Sequence, residues 1–387
     1  MSADRDFAAR VIREYDAQGS HRTGTEVDAA CAEWLAALVR EIGFVPELEA
    51  FSLERVVPGP AFVRVGGRKI DGLPLFDAAF TSERSVEGVL GEAGSDAPIG
   101  LVEVRPGGEA PDLELARRGY QHQLIIAVTK GNRPGLAPRN AWHFREPYGP
   151  PVLQVSSEQG EFLRKHLGEE VQAVATATRE STTALNVITV VPGRDESAEP
   201  VVVMTPRSGW WRCASERGGG IVCWLEALRA LADANPVRDV VFLASSGHEL
   251  GHLGLDDFLA EYADIADNAA AWVHFGASIG AAGGQLHLFT SNDRLEHLTV
   301  EAIGDCSCPL PRLVDHGTMP PGESRNIHER GQDYVSLIGG SDFFHLPDDR
   351  WPDAVDIDAV VCYAEALSKV VLALAEAGHP GAGTEDD

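Results

Sequence analysis

The chain has 387 residues, of which 44% are hydrophobic and 24% charged, and its formal net charge is −27 at pH 7. This length and composition are those of a globular protein with one large domain or two smaller ones. Nucleic acids and anionic membranes attract clusters of Lys and Arg, so the acidic excess argues against both as partners.

The sequence shows no sign of export or of membrane insertion. Residues 1–6 lack the basic and apolar stretches of a signal peptide. No apolar run approaches the ~18 residues of a transmembrane helix. The six cysteines are too sparse for a disulfide scaffold. We therefore expect a cytoplasmic protein with reduced cysteines.

The predicted elements begin with two helices and a strand. Phe7, Val11 and Ile12 recur at helical spacing, and a second helix follows Thr25, which with Asp28 resembles a capping box. The next stretch, residues 45–53, alternates like a strand. This order is typical of the beginning of an α/β domain.

Between about residues 55 and 185 the pattern changes to short strands separated by turns rich in Gly, Pro and Asp. Only two short helices interrupt these strands, near 112–118 and 158–166. We predict a small β-rich module inserted into the α/β domain. The predicted domains are therefore 1–54 together with 186–387 and, between them, 55–185.

From residue 186 onward, strands and helices alternate again. The predicted strands are 187–191, 201–204, 239–244, 271–275 and 334–338, and the predicted helices are 218–234, 256–266, 291–303 and 357–377. Such alternation predicts an α/β fold with a mostly parallel sheet and helices on both faces. Ligands of these sheets bind at the carboxyl ends of the strands. His248, Glu249, His345 and residues 205–211 follow such ends, which indicates a site there.

One of these segments contains the pattern H-E-x-x-H, from His248 to His252. On a helix this spacing would place both imidazoles on one face to bind zinc, with Glu249 as general base. The Ser-Ser-Gly sequence before His248 breaks the preceding strand, so this histidine lies at a strand-to-helix corner. A second interpretation stays open, in which Glu249 is a metal ligand and His248 is the base.

Four segments, in their order and spacing, resemble a known family of enzymes. They are N-V-I with V-P-G at 186–193, C-A-S-E-R-G-G-G with L-E-A at 213–227, G-H-E-L-G with L-G at 247–254, and F-H-L-P-D-D with V-D at 344–356. This arrangement is similar to that of the M28 zinc aminopeptidases that carry an inserted protease-associated (PA-type) domain. The resemblance spans nearly the whole chain and implies a catalytic α/β domain with a PA-like insertion at 55–185.

Several metal ligands of that family have no counterpart here. The resemblance places the first histidine ligand at Thr205 and its orienting aspartate at Arg207, and it places the general base at His248. A further aspartate ligand falls near Gly276 and Ala277, which carry no carboxylate. The resemblance therefore argues against an ordinary dizinc aminopeptidase.

The second metal position keeps its ligands. In the resemblance, the bridging aspartate corresponds to Glu216, the ligand glutamate to Glu249 and the last histidine to His345. Three protein ligands and a water make an open catalytic zinc site, so we expect one divalent metal, zinc. His248 would move the proton. Glutaminyl cyclases, which resemble this case, work with one zinc held by two carboxylates and a histidine.

Four further residues are predicted to bind the substrate. Arg207 would fill the vacated metal position with a permanent cation and bind a substrate carboxylate. Trp210 and Trp211 would form the pocket wall. His274, near the end of a predicted strand, is another candidate for the pocket. The loop 315–333 is predicted to lie over the site as a lid.

The sequence thus predicts a metal-dependent hydrolase, or a related cleaving enzyme, for a small amide-like or carboxylate-bearing molecule or short peptide, compatible with a homo-oligomer. Two alternatives stay open. One is an inactive M28-like protein with a binding or assembly role and no metal. The other is a zincin-type metalloprotease that uses His248 and His252 as ligands.

Overall fold

The computed structural model describes residues 3–119 and 121–377. Its helices are α1 (Arg5–Gln18), α2 (Glu26–Ile42), α3 (Pro111–Gly119), α4 (Gly160–Lys165), α5 (Ala214–Leu231), α6 (Leu253–Glu261), α7 (Ala263–Asn268), α8 (Asp293–Asp305), α9 (Ser324–Glu329) and α10 (Ile357–Glu376), with 3-10 helices at Ser157–Gln159 and His248–Leu250. Its strands are β1 (Glu47–Val65), β2 (Arg68–Asp71), β3 (Leu73–Pro74), β4 (Val86–Glu92), β5 (Ile99–Val104), β6 (Leu124–Thr129), β7 (Val152–Ser156), β8 (Glu170–Val191), β9 (Val201–Pro206), β10 (Val240–Ser245), β11 (Ala271–Phe275), β12 (Gln285–Thr290), β13 (Arg312–Leu313) and β14 (Tyr334–Gly340). Among these helices, none has the length and apolar character needed to span a bilayer.

The strands form one mixed sheet whose centre is parallel. Its order is β13-β12-β14-β11-β9-β10-β8-β4-β5-β6-β7-β3, and β1 pairs with β8 and β2. The four central strands β10, β9, β11 and β14 run parallel, whereas β8 and β12 lie antiparallel on the two sides of them. The predicted α/β fold is confirmed, and within residues 186–387 its main parallel block is these four strands.

Helices cover both faces of this parallel centre. Successive residues of β9 point to opposite faces, because side chains alternate along a strand. Val203 joins a core with residues of α1, α2, α5 and α10, whereas Val202 and Met204 join a second core with Trp272 and residues of α6. Each large apolar side chain that is fully buried stabilises the fold by roughly 1.5–3 kcal/mol. The two cores hold the strand ends, and the loops that follow them, in place.

Two long strands carry the chain between the α/β part and the β-rich module. β1 pairs antiparallel with β8 from Glu47 opposite Ile188 to Arg64 opposite Gln172, with one shift of register near Pro58. The predicted domain boundaries at 54/55 and 185/186 lie inside these paired strands, so hydrogen bonding is continuous across them. The division into 1–54 with 186–387 and 55–185, and the PA-type character of the module, stay predictions.

The structure differs from the expected reduced state at one pair of cysteines. Cys308, after α8, forms a disulfide with Cys362 in α10. Cys31, Cys213, Cys223 and Cys306 are free thiols. The two cysteines are 54 positions apart in the sequence, so no local pattern indicated that they pair. The cytoplasmic location stays a prediction.

Candidate functional site

The candidate site lies at the carboxyl ends of the parallel strands, where the sequence predicted it. β9 ends at Pro206 and β10 at Ser245, so the segments that follow them leave the sheet at the same edge. The first turn of α5 and the segment after β14 reach this edge as well. They bring Glu216 and His345 together, with Oε1 and Nε2 3.5 Å apart.

The start of α5 places Glu216. The helix begins at Ala214 rather than at the predicted residue 218. A carboxylate distant in sequence caps it, because Asp349 accepts hydrogen bonds from the backbone N–H groups of Ser215 (2.7 Å) and Glu216 (3.0 Å). This cap satisfies N–H groups that a helix leaves unpaired in its first turn. Burial raises the pKa of Asp349 to about 7.

Glu216 lies in a buried ion pair with the residue that follows it. Its Oε1 is 2.8 Å from Nη2 of Arg217, and both side chains are 1% exposed. Burial opposes ionisation of Glu216, but the positive charge of Arg217 and the nearby His345 outweigh it and lower the pKa of this carboxyl. Neither carboxylate oxygen makes a well-aligned hydrogen bond within the described residues. Glu216 is therefore an ionised carboxylate with acceptor capacity left over.

His345 is oriented by a backbone carbonyl of the β-rich module. Its Nδ1 lies 2.6 Å from the carbonyl oxygen of Pro138, so Nδ1 carries a proton, because a carbonyl only accepts. In the neutral ring Nε2 then presents a lone pair towards Glu216. This nitrogen has no hydrogen-bond partner in the part of the chain that the structure describes. A ring fixed at one nitrogen by a carbonyl, with the other nitrogen available, is the usual arrangement of a metal-binding histidine.

Glu249 points away from this pair. Its Oε1 accepts from the backbone N–H of Thr23 (2.7 Å) and its Oε2 from the hydroxyl of Ser208 (2.8 Å). Burial raises the pKa of its carboxyl. Ser208 also contacts the residue next to Glu216, because its backbone carbonyl accepts a hydrogen bond from Nε of Arg217 at 2.7 Å. The structure thus brings Glu216 and His345 together, whereas Glu249 is hydrogen-bonded to Thr23 and Ser208.

These positions test whether the residues fit the zinc site that the resemblance implies. Two ligands of one tetrahedral zinc ion lie about 3.4 Å apart, a separation close to that of Glu216 and His345. The same oxygen, Oε1 of Glu216, also lies 2.8 Å from Nη2 of Arg217, so a positive charge already stands beside it. Across residues 3–119 and 121–377, no three His, Cys, Asp or Glu side chains are grouped to hold a metal ion. Glu216 and His345 thus offer two facing ligand atoms, whereas the third predicted ligand, Glu249, is bonded to Thr23 and Ser208. Binding of one ion stays a prediction.

Arg207 does not lie where the sequence predicted. Its Nη1 donates to the side chain and to the carbonyl of Asp28, both at 2.8 Å, and its Nη2 donates to the carbonyl of Leu185. The side chain is 0% exposed. The predicted contact with a substrate carboxylate is corrected accordingly, because both terminal nitrogens are used inside the fold. The cation at the site is Arg217, and its place directly after Glu216 was the available sequence signal.

The two predicted pocket tryptophans donate hydrogen bonds to protein acceptors near the site. Trp210 is 1% exposed, and its Nε1 donates to Oδ1 of Asn140 at 3.0 Å. Trp211 is half-buried, and its Nε1 donates to the carbonyl of His345 at 2.9 Å. Their indole N–H groups are thus occupied by protein acceptors. Contact of either ring with a substrate stays a prediction.

His248 and His252 do not form a helical zinc motif. Residues 248–250 are a 3-10 helix, and His252 follows in the left-handed region with φ 67°. The two rings lie 4.9 Å apart, but Glu249 between them points towards Thr23. Nδ1 of His252 lies 2.8 Å from the side-chain oxygen of Asn326. The structure gives no support to the zincin alternative.

A buried glutamate that the sequence patterns did not indicate faces His248. Glu323, within the predicted lid 315–333, is fully buried and accepts from the hydroxyl of Ser245 at 2.7 and 2.9 Å. Its Oε1 lies 3.4 Å from Nδ1 of His248. Burial and the charge of Arg217 lower the pKa of His248, which keeps the ring neutral. The predicted pocket residue His274 is also buried, with Nδ1 2.8 Å from the hydroxyl of Ser336, and burial lowers its pKa to about 4.

The β-rich module contributes residues 138–142 to the site. Besides the contact of Pro138 with His345, the backbone N–H of Ala141 donates to the carbonyl of Glu249 at 2.8 Å. Asn140 accepts from Trp210, and the exposed ring of Trp142 lies edge-on to His252 with centroids 5.1 Å apart. Nothing in the sequence indicated these contacts, because they join segments that lie far apart along the chain.

No protein-family model matches the sequence, and no curated protein matches it significantly. Solved structures do match. The zinc aminopeptidase BSAP from Bacillus subtilis superimposes with a TM-score of 0.78 and 18% identity over 95% of this chain and 94% of that one. The aminopeptidase from Aneurinibacillus sp. strain AM-1 gives a TM-score of 0.75 and 15% identity over 97% and 95%. The peptidase M28 precursor from Shewanella amazonensis gives 0.74 and 16% over 96% of both chains. The chain thus has, over nearly its whole length, the fold of the M28 zinc aminopeptidases.

Proposed function

We propose that the protein is a peptidase-like hydrolase for short peptides or other small amide-like, carboxylate-bearing substrates, and that it works with one divalent metal ion, zinc. The fold it shares with zinc aminopeptidases supports the class of reaction. The observation that carries the proposal is the pair Glu216 and His345, whose facing atoms lie 3.5 Å apart in a buried site.

Glu216 and His345 would hold the ion, and Glu249 would complete the set after leaving Thr23 and Ser208. When bound, zinc would polarise a substrate carbonyl or lower the pKa of a bound water. Arg217 takes the place of a second cation, because its guanidinium stays charged and lies 2.8 Å from Glu216.

His248 is the proposed proton acceptor. Its Nδ1 faces the carboxylate of Glu323 at 3.4 Å, without a well-aligned hydrogen bond between the two groups. Burial and Arg217 keep this ring neutral by lowering its pKa. A neutral imidazole has a lone pair that can accept a proton during hydrolysis, and the nearby carboxylate of Glu323 would stabilise the imidazolium that forms.

A second candidate is a metal-free binding protein with this fold. Two observations favour it: Arg217 already neutralises Glu216, and Glu249 is turned towards Thr23. In this case Glu216 and Arg217 would be a structural ion pair, and peptide-like molecules would be bound without being cleaved.

Metal analysis distinguishes the two candidates. Purified protein is loaded with zinc, desalted and analysed for metal, alongside E216Q, H345A and the control E161Q, which removes an exposed carboxylate in α4. The proposal predicts about one zinc per chain in the wild type and E161Q, and a loss of at least about tenfold in affinity in E216Q and H345A. No bound zinc would favour the binding protein, and two per chain would contradict both candidates. Release of amino acids from short peptides, measured on the same samples, should follow the zinc content.

A further inference from the structure

A large groove lies outside the Glu216 site, on the ribbon formed by β1 and β8. Its volume is about 950 Å³, and it is lined by residues 52–54 of β1, by residues 181–183 of β8, and by Phe144, Arg145 and Leu253, among others. Cavities of about 300–1,000 Å³ hold ligands of drug size, so a peptide of a few residues fits.

The groove continues towards the site through a second cavity of about 230 Å³. The two cavities share Phe144, Arg145 and Leu253 in their linings, and the second one reaches Trp142. Trp142 is 40% exposed, and its ring contacts that of His252, which in turn lies 4.9 Å from that of His248. A ligand that follows both cavities would run from the ribbon to Trp142, next to His252.

The floor of the groove is apolar and tightly packed. Leu53, Phe144 and Leu253 are between 3% and 8% exposed, and they belong to one packed cluster with Trp210. Hydroxyl groups line the wall, at Ser52 on one strand and at residues 181–183 on the other. Such a surface offers apolar contacts to side chains and hydrogen bonds to the backbone of a peptide-like ligand.

The charges of the groove favour an anionic group. Arg145 is exposed, and Arg179 lies with its guanidinium 4.8 Å from the ring centre of Phe144. Among the described residues that line the groove, the one carboxylate belongs to Glu54, which accepts a hydrogen bond from Ser181. Two arginines stand against one carboxylate in the groove itself, and the carboxylates of Glu146 and Asp256 follow only in the second cavity. A guanidinium binds a carboxylate through two parallel hydrogen bonds.

We infer that this groove binds the carboxyl-terminal end of a short peptide, with Arg145 holding the free carboxylate and the chain running over Phe144 and Leu253 towards Trp142. The inference rests on the proposed function, because the bound peptide would be the substrate. It narrows the substrate class to short peptides with a free carboxyl terminus.

Calorimetry with a peptide that is blocked at its amino end tests the inference. The probe is the tetrapeptide acetyl-Ala-Phe-Leu-Ala, with either a free or an amidated carboxyl terminus, titrated into the zinc-free full-length protein. We expect the free acid to bind about tenfold more tightly than the amide. R145A should lose this preference, whereas R84A, which removes an exposed arginine of the same module outside the groove, should retain it.

Three results would overturn the inference. The wild type could bind the acid and the amide equally, it could bind neither, or R145A could keep the preference for the free acid. The variant E216Q separates this failure from a failure of the proposed function. It should lose zinc but keep the preference for the free acid, because Glu216 is no part of the groove. If E216Q lost the preference for the free acid, the groove would not be a binding site separate from Glu216, and the inference would fail.

Discussion

The guanidinium of Arg217 lies against the carboxylate of Glu216 with 2.8 Å between Nη2 and Oε1, and each side chain is 1% exposed. A buried charge is costly unless it is paired, so each residue depends on the other. In the proposed one-metal site, Arg217 would supply positive charge beside the carboxylate, where the resemblance implies a second metal ion.

We predict that R217A destabilises the protein strongly. The substitution leaves the Glu216 carboxylate buried and uncompensated, at a cost of about 3–5 kcal/mol in the free energy of unfolding. Urea unfolding measures this change. The double variant E216Q/R217M removes both charges and should recover much of the loss. As a control, R325A breaks an exposed ion pair with Glu329 and should cost less than about 1 kcal/mol.

The cap of α5 is a second testable feature. Asp349 is 1% exposed and accepts from the backbone N–H groups of Ser215 and Glu216, whereas its neighbour Asp348 is exposed. We expect D349A to lower the free energy of unfolding by about 1–3 kcal/mol, because two buried donors lose their acceptor. D348A is the matched control and should stay within about 0.5 kcal/mol of the wild type. Similar losses in both variants would contradict the role of Asp349.

Two helical glycines should respond in opposite directions to alanine. A Cβ atom at Gly219 in α5 would lie 1.8 Å from the carbonyl oxygen of Ile279, so the helix has to move. At Gly304 in α8 nothing lies within 4 Å of the added atom. We predict that G219A destabilises by about 1–3 kcal/mol, whereas G304A stabilises by roughly 0.5–1 kcal/mol. Thermal unfolding of both variants tests the close approach of α5 to the segment after β11.

His21 makes the stability depend on pH. Its ring is fully buried and stacked on Tyr15 at 3.8 Å, and burial lowers its pKa from 6.5 to about 3. Because the unfolded chain binds the proton and the folded one does not, the contribution of His21 is present above about pH 6.5 and is lost as the pH falls towards about 3. Between pH 7.5 and pH 5 the loss is about 2 kcal/mol.

The variant H21F keeps a ring against Tyr15 and removes the titration. The free energy of unfolding is measured by urea at pH 7.5 and at pH 5 for both proteins. Its decrease between these two pH values should be about 2 kcal/mol smaller in H21F than in the wild type. If the free energy of unfolding depends on pH equally in the two proteins, burial does not lower the pKa of His21, and the ring is protonated at pH 5 in the folded state as well.

The sequence predicted the parts of the molecule that depend on local pattern. Alternating strands and helices indicated the α/β fold, and the ends of the predicted strands indicated where the site lies. The order of short motifs pointed to Glu216 and His345, which the structure brings together. These predictions required only which residues stand at strand ends and helix starts.

Side-chain direction was outside the reach of these patterns. Arg207 turns to Asp28, and Glu249 to Thr23, through contacts with partners 179 and 226 positions away. The contribution of Pro138 to the orientation of His345 depends on how the β-rich module folds back onto the sheet. Such contacts follow from tertiary packing, on which the spacing of residues in one segment carries no information.

The position of a bound metal ion is the decisive measurement. Crystals of the zinc-loaded protein, measured at the zinc absorption edge, would locate each ion by its anomalous scattering. We predict one peak, about 2.0–2.2 Å from a carboxylate oxygen of Glu216 and from Nε2 of His345. Two peaks at this site, or none in fully loaded crystals, would contradict a single ion held by Glu216 and His345.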